Sequence, residues 1–507
     1  GTGGTPIDEL VSRDLERLRL HPSGMTPDQV LLRRLSLDIA GILPAAEEAK
    51  DFFADTNPDK YERVIDRLLA SRAYAEHWAL KWSDLLRNEE KVLDEFGVET
   101  FHGWLRDSFA QSKGLDELAR ELLTSRGSTY TVPATNYYRA NRDPVTRGET
   151  TARVLLGVRL QCAQCHNHPF DRWTQDDYFR WAAVFSGIDY HVLENNKRDK
   201  LDSHEFVGEQ LVAVKAKGEL KNPSTNQPAA PRFLGSDRAF DPEQDWLHQL
   251  ANWLTAADNV AFSQAQANLI WYHLLGRGLV DPVDDFRTTN PAVNPPLLAY
   301  VAKMLSEHRF DVRFLIRQIV MTDAYRRSSD PNGSNLHDEQ HFSRAIVRRL
   351  PAEKILDAQS QVLDAPSRFA GFALGIRAGQ IPGVRREAKS GTGDNFLRSF
   401  GKPQRLLACE CERSNETTLG QALLLIAGPE MQERLVQTGN RLDQLSNSPL
   451  PLNDRVAELY WAALSRAPSP IELQEAVRVI EETNEVREAL QDLAWALLNC
   501  KEFLFQH

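Results

Sequence analysis

The sequence predicts a mostly α protein, bundle-like and two-lobed, with a small β-hairpin and loop insertion around residues 203–235. Three observations carry that reading. Apolar residues recur at spacings of three and four along most of the chain, the period of helices that bury one face. Thr26-Pro27 and Asn57-Pro58 stand where such runs begin, since a proline in the first turn forfeits no hydrogen bond there. The period lapses from about Asp189 to Gly235, where polar residues and turn formers take over.

Taken in order, helices are expected at 7–20, 28–39, 45–54 and 61–69. Another is expected at 74–86, where Trp78 and Trp82 lie one turn apart and form a core seam. Further helices are expected at 101–112, 115–123, 146–160 and 175–185. The polar stretch then carries Asn195-Asn196-Lys197-Arg198, an alternation of Val207, Leu211, Val212 and Val214, and a turn-rich run from Asn222 to Pro228. It reads as a long loop followed by a small hairpin. Helices resume at 246–255, 263–275, 296–306 and 311–322, then at 342–363 and 419–439, with a last helical block from 454 to the end. Segments 32–47 and 459–473 both read as helix, proline-marked turn and acidic second helix, so similar hairpins open and close the chain. The division into domains is expected at 1–190, a connection at 191–240, and 241–507.

The 507 residues carry a net charge of -11, and no basic face suggests a nucleic-acid partner. The longest apolar run, from Ala422 to Ala427, is too short to cross a bilayer, so the chain is expected not to be transmembrane. Gly1-Thr-Gly-Gly-Thr5 reads as a linker or processing scar, with any export signal removed or upstream. The 5 cysteines are too few for a disulfide framework, and four of them fall in two tight pairs that suggest chemistry. Cys500 lies in an apolar segment and reads as a small buried hydrophobe.

Cys162-Ala-Gln-Cys165-His166 has the CxxCH spacing at the end of an apolar helix. Two thiols three residues apart can add to the two vinyl groups of one haem c, and His166 can then reach the iron as proximal ligand. His168 is expected to meet a propionate or a carboxylate such as Asp171. Trp173, followed by Trp181, is expected to shield the macrocycle. Tyr137, Tyr138, His191 and His204 are candidates for the sixth position, whereas Met304 and Met321 read as core. Zinc is the alternative cofactor, with Cys409 and Cys411 completing four thiolates, and a disulfide is a third reading. Cys409-Glu-Cys411-Glu-Arg413-Ser-Asn415-Glu416 forms a candidate second cysteine site: free, metal-bound, or bridged in a small strained ring. Its carboxylates and arginine suit a loop facing the haem region or a substrate cleft, the alternative being a solvated turn. His102, His248, His273 and His308 read as isolated, satisfied histidines. Gly391-Thr-Gly-Asp394 lacks the lysine of a phosphate loop.

Longer stretches carry a family resemblance. Arg33-Arg-Leu-Ser-Leu-Asp38, the segment from Tyr61 to Ser71, Tyr138-Arg-Ala-Asn-Arg-Asp143-Pro and the run from Cys162 to Gln175 resemble a planctomycete cytochrome-like domain of unknown function, the PSCyt2 type. Asn290-Pro, Asn294-Pro-Pro, Arg348-Arg-Leu-Pro-Ala-Glu353, Phe400-Gly-Lys-Pro, the segment from Cys409 to Ser414 and Glu502-Phe-Leu-Phe look like its usual partner, the PSD1 type. The resemblance implies a secreted bacterial protein with a haem-attachment motif and an association with breakdown of complex polysaccharides. It supplies no reaction. The expected function is an extracytoplasmic c-type haem protein, periplasmic or secreted, acting in electron transfer or as an oxidoreductase. A redox partner protein and a sugar or polysaccharide substrate go with it. The alternatives are a redox-inert structural or carbohydrate-binding protein and a peroxidase-type haem enzyme.

Overall fold

Thr5 opens the first helix, Pro6–Leu18, with its hydroxyl accepting from Asp8 N–H while the Asp8 carboxylate reaches back to Thr5 N–H. The computed structural model describes residues 4–215, 218–383, 391–413, 418–483 and 485–507. The protein is mostly α, as the periodicity predicts. Asp28–Ile39, Ala46–Ala54, Lys60–Ala70 and Arg72–Leu85 form where the apolar spacing places them.

Four boundaries differ, each for a local reason. The helix expected at 146–160 is Pro144–Leu156, because Gly157 takes φ +69° and turns the chain out. The helix expected at 342–363 starts only at Ala352, because Arg348–Arg349 is a strand that Pro351 separates from it. The helix expected at 419–439 is two, Leu419–Ala427 and Pro429–Leu435, divided where Pro429 offers no N–H to continue the ladder. The one expected at 101–112 begins at Glu90 and bends at Asp94, whose φ is +56°.

The β insertion also differs from expectation. Strand β1 is Gly127–Ser128, β2 is Ile188–Val192 and β3 is Gln210–Val214, in the antiparallel order β1-β3-β2. The alternation at 211–214 is thus a strand, but its partner precedes the polar loop, with Tyr190 opposite Val212. Beyond it, among the described residues, 218–239 makes only the isolated bridges Lys221 to Pro228 and Arg232 to Ala239. Two further strands, β4 (Arg348–Arg349) and β5 (Phe505–Gln506), pair near the C-terminus.

Two large hydrophobic cores account for the lobes. One gathers residues from Ile7 to Phe342, with Ala408. The other gathers Leu350 to Phe503 together with Leu37 and Leu43. The Asp28–Ile39 helix serves both, with Leu35 and Ile39 in the first core and Leu37 in the second. Each fully buried large apolar side chain contributes on the order of 1.5–3 kcal/mol, so neither core depends on a covalent staple. Arg33 clips the lobes together by donating to Ala463 O at 2.9 Å and Phe503 O at 2.8 Å.

Candidate functional site

The CxxCH segment lies in a short 3-10 turn, Gln161–Gln164, with Cys165 just beyond it. Cys162 and Cys165 are free and exposed. His166 Nδ1 lies 2.8 Å from Asn167 O; donation to that carbonyl leaves Nε2 as the free lone pair. Two unbridged thiols and such an imidazole fit the donor set of a c-type haem. His168 Nδ1 accepts from Phe170 N–H at 3.2 Å, and the Asp171 carboxylate accepts from Arg172 N–H, so the two do not pair. Trp173 and Trp181 are buried in the first core, the latter donating to Gly148 O. Phe170, 61% exposed, is the aromatic ring at the surface of this segment. Tyr137 and Tyr138 are buried with their hydroxyls on Thr151 and Leu123 O, whereas His191 and His204 lie exposed.

Cys409 and Cys411 form a disulfide with each other, so they complete no four-thiolate zinc site. Among the described residues, no group of three or more His, Cys, Asp or Glu is placed to hold a metal. Ser414, Asn415 and Glu416 of that segment lie outside the described residues. The bridge frames Glu410, and Glu410 and Arg413 line a cavity of about 360 Å³ between the two cores.

Five segments supply most of the cavity's lining. The Arg72–Leu85 helix contributes His77, Lys81 and Asp84 from one face, spaced four and three apart. The C-terminal end of the Val260–Leu275 helix contributes Tyr272 and His273, and the start of the Ala352–Leu363 helix contributes Glu353, Lys354 and Asp357. The 409–413 loop and the β4–β5 pair close it. Gly41 is needed at the wall: its φ is +70°, and a Cβ there would stand 2.6 Å from His77 Nδ1.

Charged groups meet here in a defined order. Lys81 Nζ lies 3.0 Å from His273 Nδ1. With Lys81 donating, the His273 proton sits on Nε2, which is 3.4 Å from Glu410 Oε1 without an in-line hydrogen bond. Burial pushes Lys81 down to about 8, against an opposing pull from Glu410. Burial pushes the Glu410 carboxyl up to about 7, against the opposing pull of Lys81. His77 and His273 are held well below the usual imidazole range by burial and by the cations around them, so both are neutral. Asp357 is raised to about 6 by burial, although its carboxylate accepts from Ala378 and Gly379 N–H. Arg413 fixes the far wall by donating to Glu353 at 2.8 Å and Asp84 at 2.8 Å. Within this one cavity burial lowers an amine and raises two carboxyls, which brings them toward a common pH range.

The loop at Cys409–Arg413 therefore faces a cleft. His273, read as an isolated histidine, belongs to the cavity, and His77, Lys81, Lys354 and Asp357 join it. A sequence trace exists for some of them. His77, Lys81 and Asp84 form a polar stripe in a helix that also carries Trp78, Leu80 and Trp82.

Residues 6–190 match the family model PSCyt2, a protein of unknown function (DUF1549), and residues 248–480 match PSD1, a protein of unknown function (DUF1553). Neither a curated protein nor a solved structure matches the chain.

Proposed function

We propose, for a chain that belongs to the PSCyt2 and PSD1 families in that order, that it is an enzyme working by general acid–base catalysis in the cavity between its two cores. The observation that carries this reading is the line Lys81–His273–Glu410. Midway between their values of about 7 and about 8, most of Glu410 is a carboxylate and most of Lys81 an ammonium. Glu410 is then the base that takes a proton from substrate, and Lys81 the acid that returns one. Neutral His273 accepts from Lys81 through Nδ1 and turns its Nε2–H toward Glu410, which keeps the two opposite charges apart and oriented. A positioned acid or base of this kind contributes about 10²–10⁴ in rate. Competitive acylation of the native chain across pH 6–11, read lysine by lysine by mass spectrometry, tests it. Lys81 is expected to gain reactivity with a midpoint near 8. A midpoint near the ordinary lysine value of about 10.4 would remove the acid from the scheme.

A second reading rests on the free, exposed thiols of Cys162 and Cys165 and the available Nε2 of His166. It makes the chain a c-type haem protein in electron transfer or oxidation, with a redox partner reaching the motif at the surface. The group would be held by Cys162, Cys165 and His166, and when bound it supplies one-electron chemistry at iron. Placement outside the cytoplasm accords with the Cys409–Cys411 bridge, since disulfides persist in oxidising compartments. A sugar or polysaccharide substrate is what the family resemblance implies, and it is compatible with both readings. Expression in an exporting, haem-attaching host is expected to give a Soret band and a mass gain of one haem. Both are expected to vanish in Cys162→Ala/Cys165→Ala, and a colourless wild type of unmodified mass would end this reading.

A further inference from the structure

The cavity holds more nitrogen donors than the acid–base line uses. Lys354 Nζ makes one hydrogen bond, to Leu37 O at 2.6 Å, which leaves positions open on the nitrogen whether it is an amine or an ammonium. Lys81 likewise spends one, on His273. His77 is 7% exposed, lines the cavity, and its Nε2 has no partner. A buried polar atom left unpaired is destabilising, so three under-used nitrogens around one space describe a site shaped for something that accepts hydrogen bonds.

The neighbouring cations do not share this surplus. Arg413 is taken up by Glu353 and Asp84, and Arg348 by Asp38 and the carbonyls of His273 and Leu274. The carboxyl of Asp357 is occupied by two backbone N–H groups. Glu353, Asp84 and Asp357 therefore cannot serve as counter-charge for Lys81 and Lys354 without breaking bonds they already have. The opposing pulls come from Glu410 and Asp38 on Lys81 and from Asp38 on Lys354, and Asp38 is already bonded to Arg348 and Tyr325. A volume of about 360 Å³ has room for on the order of ten waters or for one small organic acid.

Resting on the acid–base reading, we propose that the substrate carries an oxyanion, a carboxylate, sulfate or phosphate group, which binds Lys354, His77 Nε2–H and Lys81 and so presents the neighbouring carbon or hydroxyl to Glu410. Burial holds Lys354 well below the usual amine range against an opposing pull from Asp38, with Lys81, Arg348 and Arg413 adding to the push. An anion lying against it offsets that push and restores the ammonium. The oxyanion thus completes the hydrogen bonding that the chain leaves open, and it discriminates against neutral analogues because those would strand the same donors.

The test uses the full chain and three probes at constant ionic strength: sodium sulfate, sodium phosphate and sodium malonate. Calorimetry is expected to show one saturable site for at least one probe, and the preferred probe names the source of the oxyanion. That probe is expected to slow acylation of Lys81 and Lys354 in the wild-type protein by tenfold or more, a readout that needs no variant. Lys354→Met is expected to weaken binding at least tenfold with the helical circular dichroism retained. Absence of saturable binding for all three probes, or saturable binding that protects neither lysine, overturns the proposal. If no probe binds while Lys81 titrates near 8, the oxyanion site falls and the acid–base reading stands. If a probe binds and protects both lysines while Lys81 titrates as an ordinary amine, the acid–base reading falls and the anion site stands.

Discussion

Arg413→Met is expected to lose about 3–5 kcal/mol of folding stability at pH 7, the usual result of removing one partner from a buried charge cluster. Glu353 is 2% exposed and accepts two of the guanidinium's hydrogen bonds, at 2.8 and 3.2 Å. Burial alone would push the Glu353 carboxyl up, yet Arg413 holds it down at about 2. Asp84 keeps a second partner in Arg405, at 2.7 Å, so Glu353 is the group left stranded. The sign of the pH effect follows. In the native protein the depressed carboxyl stabilises the fold above its unfolded value near 4.5, and that contribution is lost as the pH falls toward 2. Without Arg413 the carboxyl rises above its unfolded value and takes up a proton on folding. The deficit of the variant is therefore largest at pH 7 and shrinks toward pH 5. Urea denaturation at both values measures it, and Arg478→Met, an exposed pair with Glu475 and Glu482, should change stability by no more than about 0.5 kcal/mol. Equal losses at pH 7 and 5 would contradict a stranded carboxylate.

Arg147→Met is expected to cost a similar amount, about 3–5 kcal/mol, by a different route. Arg147 is fully buried on the Pro144–Leu156 helix and donates to Asn141 O at 2.8 Å, Phe185 O at 2.9 Å and Tyr190 Oη at 2.8 Å, and also to Arg142 O. It ties the helix that leads into the CxxCH turn to the β2 strand. Methionine fills much of the volume but leaves those carbonyls buried without donors. The loss is expected to be nearly independent of pH between 5 and 8, because carbonyls do not titrate, and this separates it from Arg413→Met. Hydrogen exchange should rise first across residues 141–157 and β2. Protection there equal to the wild type would show that the clamp does not hold the two together.

Helices were legible because their evidence is local. The period of three and four is written within each segment, and caps such as Asn294 before Pro295 mark the start. The errors cluster where a distant partner decides. Arg348–Arg349 falls inside the helix expected at 342–363, and Phe505–Gln506 at the end of the last helical block, until they pair with each other across the fold. Ile188–Val192 looks like the start of a loop because its exposed face is polar, and only the pairing with β3 makes it a strand.

The cavity was hidden for the same reason. Lys81 and His273 are 192 positions apart, and neither carries a motif. The chemistry of CxxCH is contiguous in the sequence, whereas the acid–base line is assembled by packing. Glu410 was the partial exception: a carboxylate between two cysteines pointed to a cleft-facing loop, but its partners could not be read from the sequence.

The most direct test of the central claim compares the Lys81 acylation profile in the wild-type chain with that in Glu410→Gln. Glu410 opposes the effect of burial on Lys81, so the midpoint is expected near 8 in the wild type and lower in the variant, with the remaining lysines unmoved. An ordinary lysine midpoint in both proteins, or one midpoint shared by both, would show that Lys81 and Glu410 do not act on each other and would contradict an acid–base centre in this cavity.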